Sequence, residues 1–179
     1  MSGKLVGIVI MVIAALVGAG IYYFQVYGYY DEVAQVDLTG IELVNVVSGE
    51  PEIIVADDIQ AIDANSSPIR YRACFTTTMS QALLTETYTV YEDAEPLTGP
   101  GWFDCYDADQ VGAALEDGTA IAFLSQFNVV YGIDRVVAVT DDGRGYVWHQ
   151  INACGEKVFD GEQPPEGCPP KPATGEGTE

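Results

Sequence analysis

"IDRVVAVTDDGRGYVWHQI", residues 133–151, is the stretch on which the fold turns. Two runs rich in β-branched and aromatic residues flank Asp142-Gly143, a favoured tight-turn pair, so the segment predicts a β-hairpin. Ahead of it, "TAIAFLSQ" (119–126) is a short apolar run suited to a central strand. In "IRYRACF" (69–75) Ile69, Tyr71, Ala73 and Phe75 alternate with Arg70, Arg72 and Cys74, the period of a strand with one buried face. Further strands are expected at about Ile41 to Val47, closed by Ser48-Gly49, and within "PEIIVADDIQAID" (51–63).

Helical signals fall between these strands. Hydroxyls precede an Ala-Leu-Leu run in "TTTMSQALLTETY", predicting a short capped helix from about Met79 to Glu86. "DADQVGAALEDG" offers Asp107 as cap, Val111, Ala114 and Leu115 on one face, and Gly118 as the stop. "TVYEDAEPLTGPGWFDCY" (89–106) reads as a long connection that Trp102 and Phe103 pin down and Cys105 can staple. After Cys154 the pattern dissolves into a Pro- and Gly-rich acidic tail expected to lack regular structure. The fold class that results is α+β: a small domain with a mainly antiparallel sheet and two short helices, behind an N-terminal transmembrane helix.

That helix is read from Leu5 to Phe24, 20 consecutive residues without a charge, the length needed to cross about 30 Å of hydrocarbon. Tyr22, Tyr23, Tyr27, Tyr29 and Tyr30 crowd its far end, where amphipathic rings favour the membrane–water interface. Lys4 precedes the run and Asp31 and Glu32 follow it, which orients the N-terminus to the cytoplasm. The expected organisation is a cytoplasmic 1–4, a membrane helix 5–27, a stalk 28–39, an exported domain 40–160 and a tail 161–179. Cleavage as a signal peptide after Val17-Gly18-Ala19 is the competing reading. Gly3/Gly7 and Ala14/Gly18, at four-residue spacing, would let another membrane helix approach closely.

All 27 acidic residues lie from Asp31 onward, against six basic ones there, a formal charge of −21. Nucleic acid and anionic lipid heads would be repelled by that field; solubility explains it, and attraction of a cation or a basic protein is the functional alternative. Cys74, Cys105, Cys154 and Cys168 all sit on the exported side and predict two disulfides. Three pairings are open; moderate loop lengths favour Cys74 with Cys105 and Cys154 with Cys168.

Catalytic constellations find little support. His149 is the sole histidine, in a strand beside Trp148, and is expected to be a surface or packing residue. Asp107, Asp109 and Gly112 imitate the start of a calcium loop, but Gly118 stands where its bidentate Glu belongs. Asp57/Asp58 and Asp141/Asp142 fit turn geometry better than catalysis, and no G-x-S-x-G elbow is present. Arg70 and Arg72, two cations on one strand, must pair with carboxylates or bind an anion. With Trp102 and Phe103 they form the candidate interaction surface, which Tyr106 and Tyr131 would extend as an aromatic patch or join to the core. No cofactor, metal or enzymatic activity is expected.

"MSGKL" with its apolar run, "VVSGEP", "SSPIRYRACFTT", "LTETYTVYEDAEPLTGPGWFDCYDA", "GAALEDGTAIAFL", "GIDRVVAV" and "WHQINACGE" resemble an uncharacterised family of small alphaproteobacterial single-pass membrane proteins, a domain of unknown function. The likeness runs through nearly the whole chain. It implies a bacterial inner-membrane protein with a periplasmic domain and brings no catalytic residue or ligand. The expected role is an accessory or assembly subunit of an inner-membrane complex, a respiratory one with a basic c-type cytochrome being a concrete case. A tethered small-ligand or sensor module is the alternative, and a periplasmic enzyme stands behind both.

Overall fold

The computed structural model describes residues 3–34 and 40–171. An apolar helix, α1 (Gly3–Tyr23), runs into a π-helical turn (Phe24–Gly28), and none of its side chains is buried. Together they span 26 residues, long and apolar enough to cross a membrane. With Asp31 the chain enters an antiparallel α+β domain.

Among the described residues eight strands follow: β1 (Asp31–Glu32), β2 (Ile41–Val44), β3 (Pro51–Ile54), β4 (Asp57–Asp63), β5 (Arg72–Thr76), β6 (Ala120–Val130), β7 (Ile133–Thr140) and β8 (Arg144–Ile151). Six form one sheet in the order β1-β4-β5-β8-β7-β6, and β2 pairs with β3 in a second. Every pairing is antiparallel. The stretch expected as a stalk therefore contributes an edge strand: Asp31 lies opposite Asp63, and Val33 N–H donates to the Ala61 carbonyl at 2.9 Å.

The hairpin forms with Ile133 opposite Ile151 and Val139 opposite Gly145. Its loop has three residues rather than two. Gly143 N–H returns to the Thr140 carbonyl at 3.1 Å and Gly143 takes φ +84°, a type I turn followed by a left-handed residue. β6 ends the large sheet instead of occupying its centre. Residues Thr89 and Tyr91 nevertheless cover the outer edge of its first half, through Leu124 N–H to Thr89 O and Tyr91 N–H to Ala122 O, both 2.9 Å.

β5, expected to bury one face, is buried on both. Ala73 and Phe75 face one core, where β2, β3 and α2 (Gln81–Thr87) contribute Ile41, Leu43, Ile54 and Leu84. Cys74 faces a second core with Trp148, Val136, Phe103, Tyr106 and, from α3 (Ala108–Glu116), Val111. The long connection after Tyr91 thus closes the second face of the sheet, held down by Phe103, Tyr106 and the Cys74–Cys105 disulfide.

The expected caps are in place. Ser80 accepts from Leu83 N–H at the start of α2, and Asp107 accepts from Asp109 and Gln110 N–H at the start of α3. Gly118, at φ +79°, ends α3. A third domain helix, α4 (Ala153–Phe159), occupies a stretch expected to be irregular. Asn152 caps it, and the Cys154–Cys168 disulfide ties the following segment to it. The tail beyond residue 171 lies outside the described residues.

Candidate functional site

Arg72 is 3% exposed and, among the described residues, forms no ion pair with a carboxylate. Its guanidinium donates to four carbonyls instead: Ile69, Tyr71, Leu97 and Thr98, at 2.6 to 3.0 Å. It also lies over the Tyr106 ring, 5.7 Å from the centroid. Five fixed donors suit this role, joining the start of β5 to the long connection from within. Arg72 and Phe103 therefore leave the candidate surface for the interior. The expectation of carboxylate pairing for Arg72 is corrected by carbonyls that a connection 25 residues away brings to it.

Arg70 and Trp102 come together elsewhere, at the end of α1. Trp102 Nε1 donates to the Val26 carbonyl at 2.6 Å, and its ring stacks on Tyr27 and meets Tyr30 edge-on. The Arg70 guanidinium lies over Tyr29 and Tyr30, 5.9 and 5.6 Å from their centroids. Of Trp102, Phe103, Tyr106 and Tyr131, for which core packing is the first reading and a docking patch the alternative, no continuous surface patch forms. Phe103 and Tyr106 are core residues, while Tyr131 sits at the β6–β7 turn. Gly3, Gly7 and Gly18 have open space around them along α1, and Ala14 is exposed.

His149 is buried and stacked on Tyr71 at 4.9 Å. Its Nδ1 donates to the Pro68 carbonyl at 2.6 Å and its Nε2 accepts from Arg135 Nε at 2.9 Å, which assigns the neutral Nδ1–H tautomer. Burial, with help from Arg135 and Arg72, pushes its pKa down to about 4. Asp142 accepts from Thr140 and Arg144 in the hairpin turn, and the Thr140 hydroxyl leads in lowering its pKa. Among the described residues, no group of three or more His, Cys, Asp or Glu is placed to hold a metal ion.

The feature that sequence reasoning missed is a groove of about 850 Å³ between α4, the end of β6 and residues 90–95. Its floor is a closed polar network. Asp134, 3% exposed, accepts from Asn152 Nδ2 at 2.7 Å, Asn128 N–H at 2.9 Å and Tyr91 OH at 3.2 Å. Burial, then the Asp134 carboxylate, drives the Tyr91 phenol well above its usual range. Asn152 Oδ1 in turn caps α4 at Gly155 N–H, and Gln150 ties Trp148 to the Asp93 and Glu95 backbone. The floor's acceptors are thus occupied, leaving the rim to do any binding.

That rim carries Glu92, Asp93, Glu95, Glu156 and Asp160, all exposed, and no Lys or Arg lines the groove. Between the acids stand exposed apolar side chains, Phe127 (48%), Ile151 (44%) and Phe159 (53%). The glycines Gly132 and Gly155 set its depth: a Cβ on Gly155 would lie 2.1 Å from Gly132 O, so only glycine lets α4 seat against the β6–β7 turn. This arrangement is an apolar trough with an acidic rim.

Fold and site together define an α+β, disulfide-stapled domain behind an apolar N-terminal helix. The chain belongs to a family of unknown function, DUF6446, whose sequence profile matches residues 41–169. No curated protein and no solved structure matches it. The family match begins at β2 and so takes in the groove and both disulfides, and leaves out α1.

Proposed function

We propose that the chain is a membrane-anchored accessory or assembly subunit that acts by protein–protein contact. α1 crosses a bacterial inner membrane once with its N-terminus in the cytoplasm, and the domain works in the periplasm. The observation that carries the binding role is the acid-rimmed apolar groove beside α4. Three features support the topology: the length of α1, the acidic residues confined to one side of it, and two disulfides, which persist in an oxidising compartment. A formal charge of −21 beyond Tyr30 adds long-range attraction for a basic partner, with on-rates that fall as salt rises. A subunit of a respiratory complex presenting this groove to a basic c-type cytochrome is one concrete form of the role.

The test is purification of a C-terminally tagged chain from native membranes in mild detergent, beside a Glu92→Lys/Glu156→Lys variant. A stoichiometric partner retained by the wild type, released by 0.5 M salt and absent from the variant supports the reading. Equal recovery with both chains refutes the groove's part in it. A second reading, a tethered small-ligand module, draws on a cavity of about 360 Å³ beside Cys74–Cys105, lined by Asp58, Gln60, Asp107, Arg144 and Tyr146. Recovery of the wild-type chain alone, where known complexes stay intact, would favour it.

A further inference from the structure

The end of α1 carries a third cavity, of about 510 Å³, between the π-helical turn and the long connection. Gln25 and Val26 line it from the helix side, and Gly99, Pro100 and Gly101 from the domain side. Arg70 also lines it. Its Nη1 is buried without a hydrogen-bond partner, and among the described residues no carboxylate lies within ion-pair distance of it. A guanidinium stays charged at any physiological pH, and Arg70 is only half-buried, so the donors it keeps toward the cavity call for an acceptor.

Position supplies the second argument. The helix and its π-helical turn cover 26 residues, about 39 Å at 1.5 Å per residue, against about 30 Å of hydrocarbon. The excess places Gln25 and Val26 at the level of the lipid headgroups. The aromatic collar says the same: Tyr27, Tyr29, Tyr30 and Trp102 are interfacial residue types, packed on one another here. Trp102 locks the domain to Val26, so the cavity cannot drift from the membrane surface without breaking that bond.

We propose that this cavity binds the phosphodiester of a zwitterionic phospholipid headgroup, with Arg70, braced by Tyr29 and Tyr30, as the phosphate ligand. Arginine presents paired N–H donors to phosphate oxygens in a planar fork. Charge selects the lipid. A free phosphate dianion or a net-anionic headgroup must approach against a domain of formal charge −21, whereas a neutral headgroup does not. The outcome is a domain oriented on the bilayer by a bound lipid as well as by its helix. The inference rests on α1 being a membrane anchor, which alkaline extraction of membranes tests separately.

The experiment is native mass spectrometry of the full chain released from detergent micelles, with phosphatidylethanolamine, phosphatidylglycerol or inorganic phosphate added as probe. The wild type should retain one phosphatidylethanolamine, and Arg70→Gln should retain at least tenfold less. Gly101→Glu is the second variant. Its added side chain enters open space, keeps Arg70 intact and places a carboxylate where the phosphate would sit. It too should lose the lipid, and circular dichroism will confirm that both variants fold. Equal lipid retention by the wild type and both variants overturns the site. Phosphatidylglycerol retained as well as phosphatidylethanolamine overturns the selection of a neutral headgroup, and inorganic phosphate binding without lipid overturns the lipid as its source. A chain freed by alkaline extraction would break the anchored reading itself.

Discussion

Replacing Gly155 by alanine tests how the groove is built. The new Cβ would lie 2.1 Å from Gly132 O and 2.8 Å from both Gly132 C and Cα, all backbone atoms that no rotamer change can move aside. Relief to an ordinary carbon–oxygen contact of about 3.3 Å needs a shift of about 1 Å in α4 or in the β6–β7 turn. Overpacking of this kind costs about 1–3 kcal/mol. The same shift pulls Gly155 N–H from Asn152 Oδ1, now 2.9 Å away, a cap worth about 1 kcal/mol. A total of about 3 kcal/mol should lower Tm by about 6–12 °C. Thermal unfolding of the full chain in detergent, followed by circular dichroism, reads this directly. Gly112→Ala is the contrast, because its Cβ would meet nothing within 4 Å on α3 and should stabilise by about 0.5–1 kcal/mol. A Gly155→Ala chain within about 0.5 kcal/mol of wild type would refute the packing argument.

Arg72→Met takes the donor from the carbonyls of Ile69, Leu97 and Thr98, in part-buried bonds, and should cost about 3 kcal/mol in urea titrations. Arg72→Lys should restore little of it, since one ammonium cannot reach both sides of the fork. Reduction should destabilise through both disulfides, which close separations of 31 and 14 residues, by about 3.5 and about 3 kcal/mol in the chain-entropy account. Single Cys→Ser pairs, melted with and without reductant, will separate the two. His149 titrates near 4 when folded and near 6.5 when unfolded. Between those values the unfolded chain binds the extra proton, so stability falls as pH drops from 6.5 to 4, by about 3 kcal/mol in total. His149→Gln should flatten that portion of the curve, and an unchanged slope would show that the ring is not held neutral.

Several parts of the fold are legible in the residues themselves. The β-branched runs around Asp142-Gly143 announce the hairpin, and Asp107 and Gly118 bound α3 through backbone chemistry that acts within four residues. β5 is harder, because alternation of Arg70, Arg72 and Cys74 with apolar neighbours reads as one wet face. What dries that face is Leu97 and Thr98 offering carbonyls from 25 and 26 residues away. α4 hides because it is short and adjoins proline-rich text, though Asn152 as cap and Gly161 at φ +83° mark its ends. The groove has no local signature at all. Its acids come from residues 92–95 and 156–160, and its apolar walls from β6, β8 and α4.

The central claim is that this groove is where the domain meets its partner. A photo-crosslinking residue placed at Phe127 or at Phe159 in intact cells tests it most directly, with Val47, 91% exposed on the turn after β2, as the control position. The account predicts one discrete adduct from both groove positions, suppressed by Glu92→Lys/Glu156→Lys, and none from Val47. Adducts from Val47 alone, or equal adducts from all three positions, would contradict it.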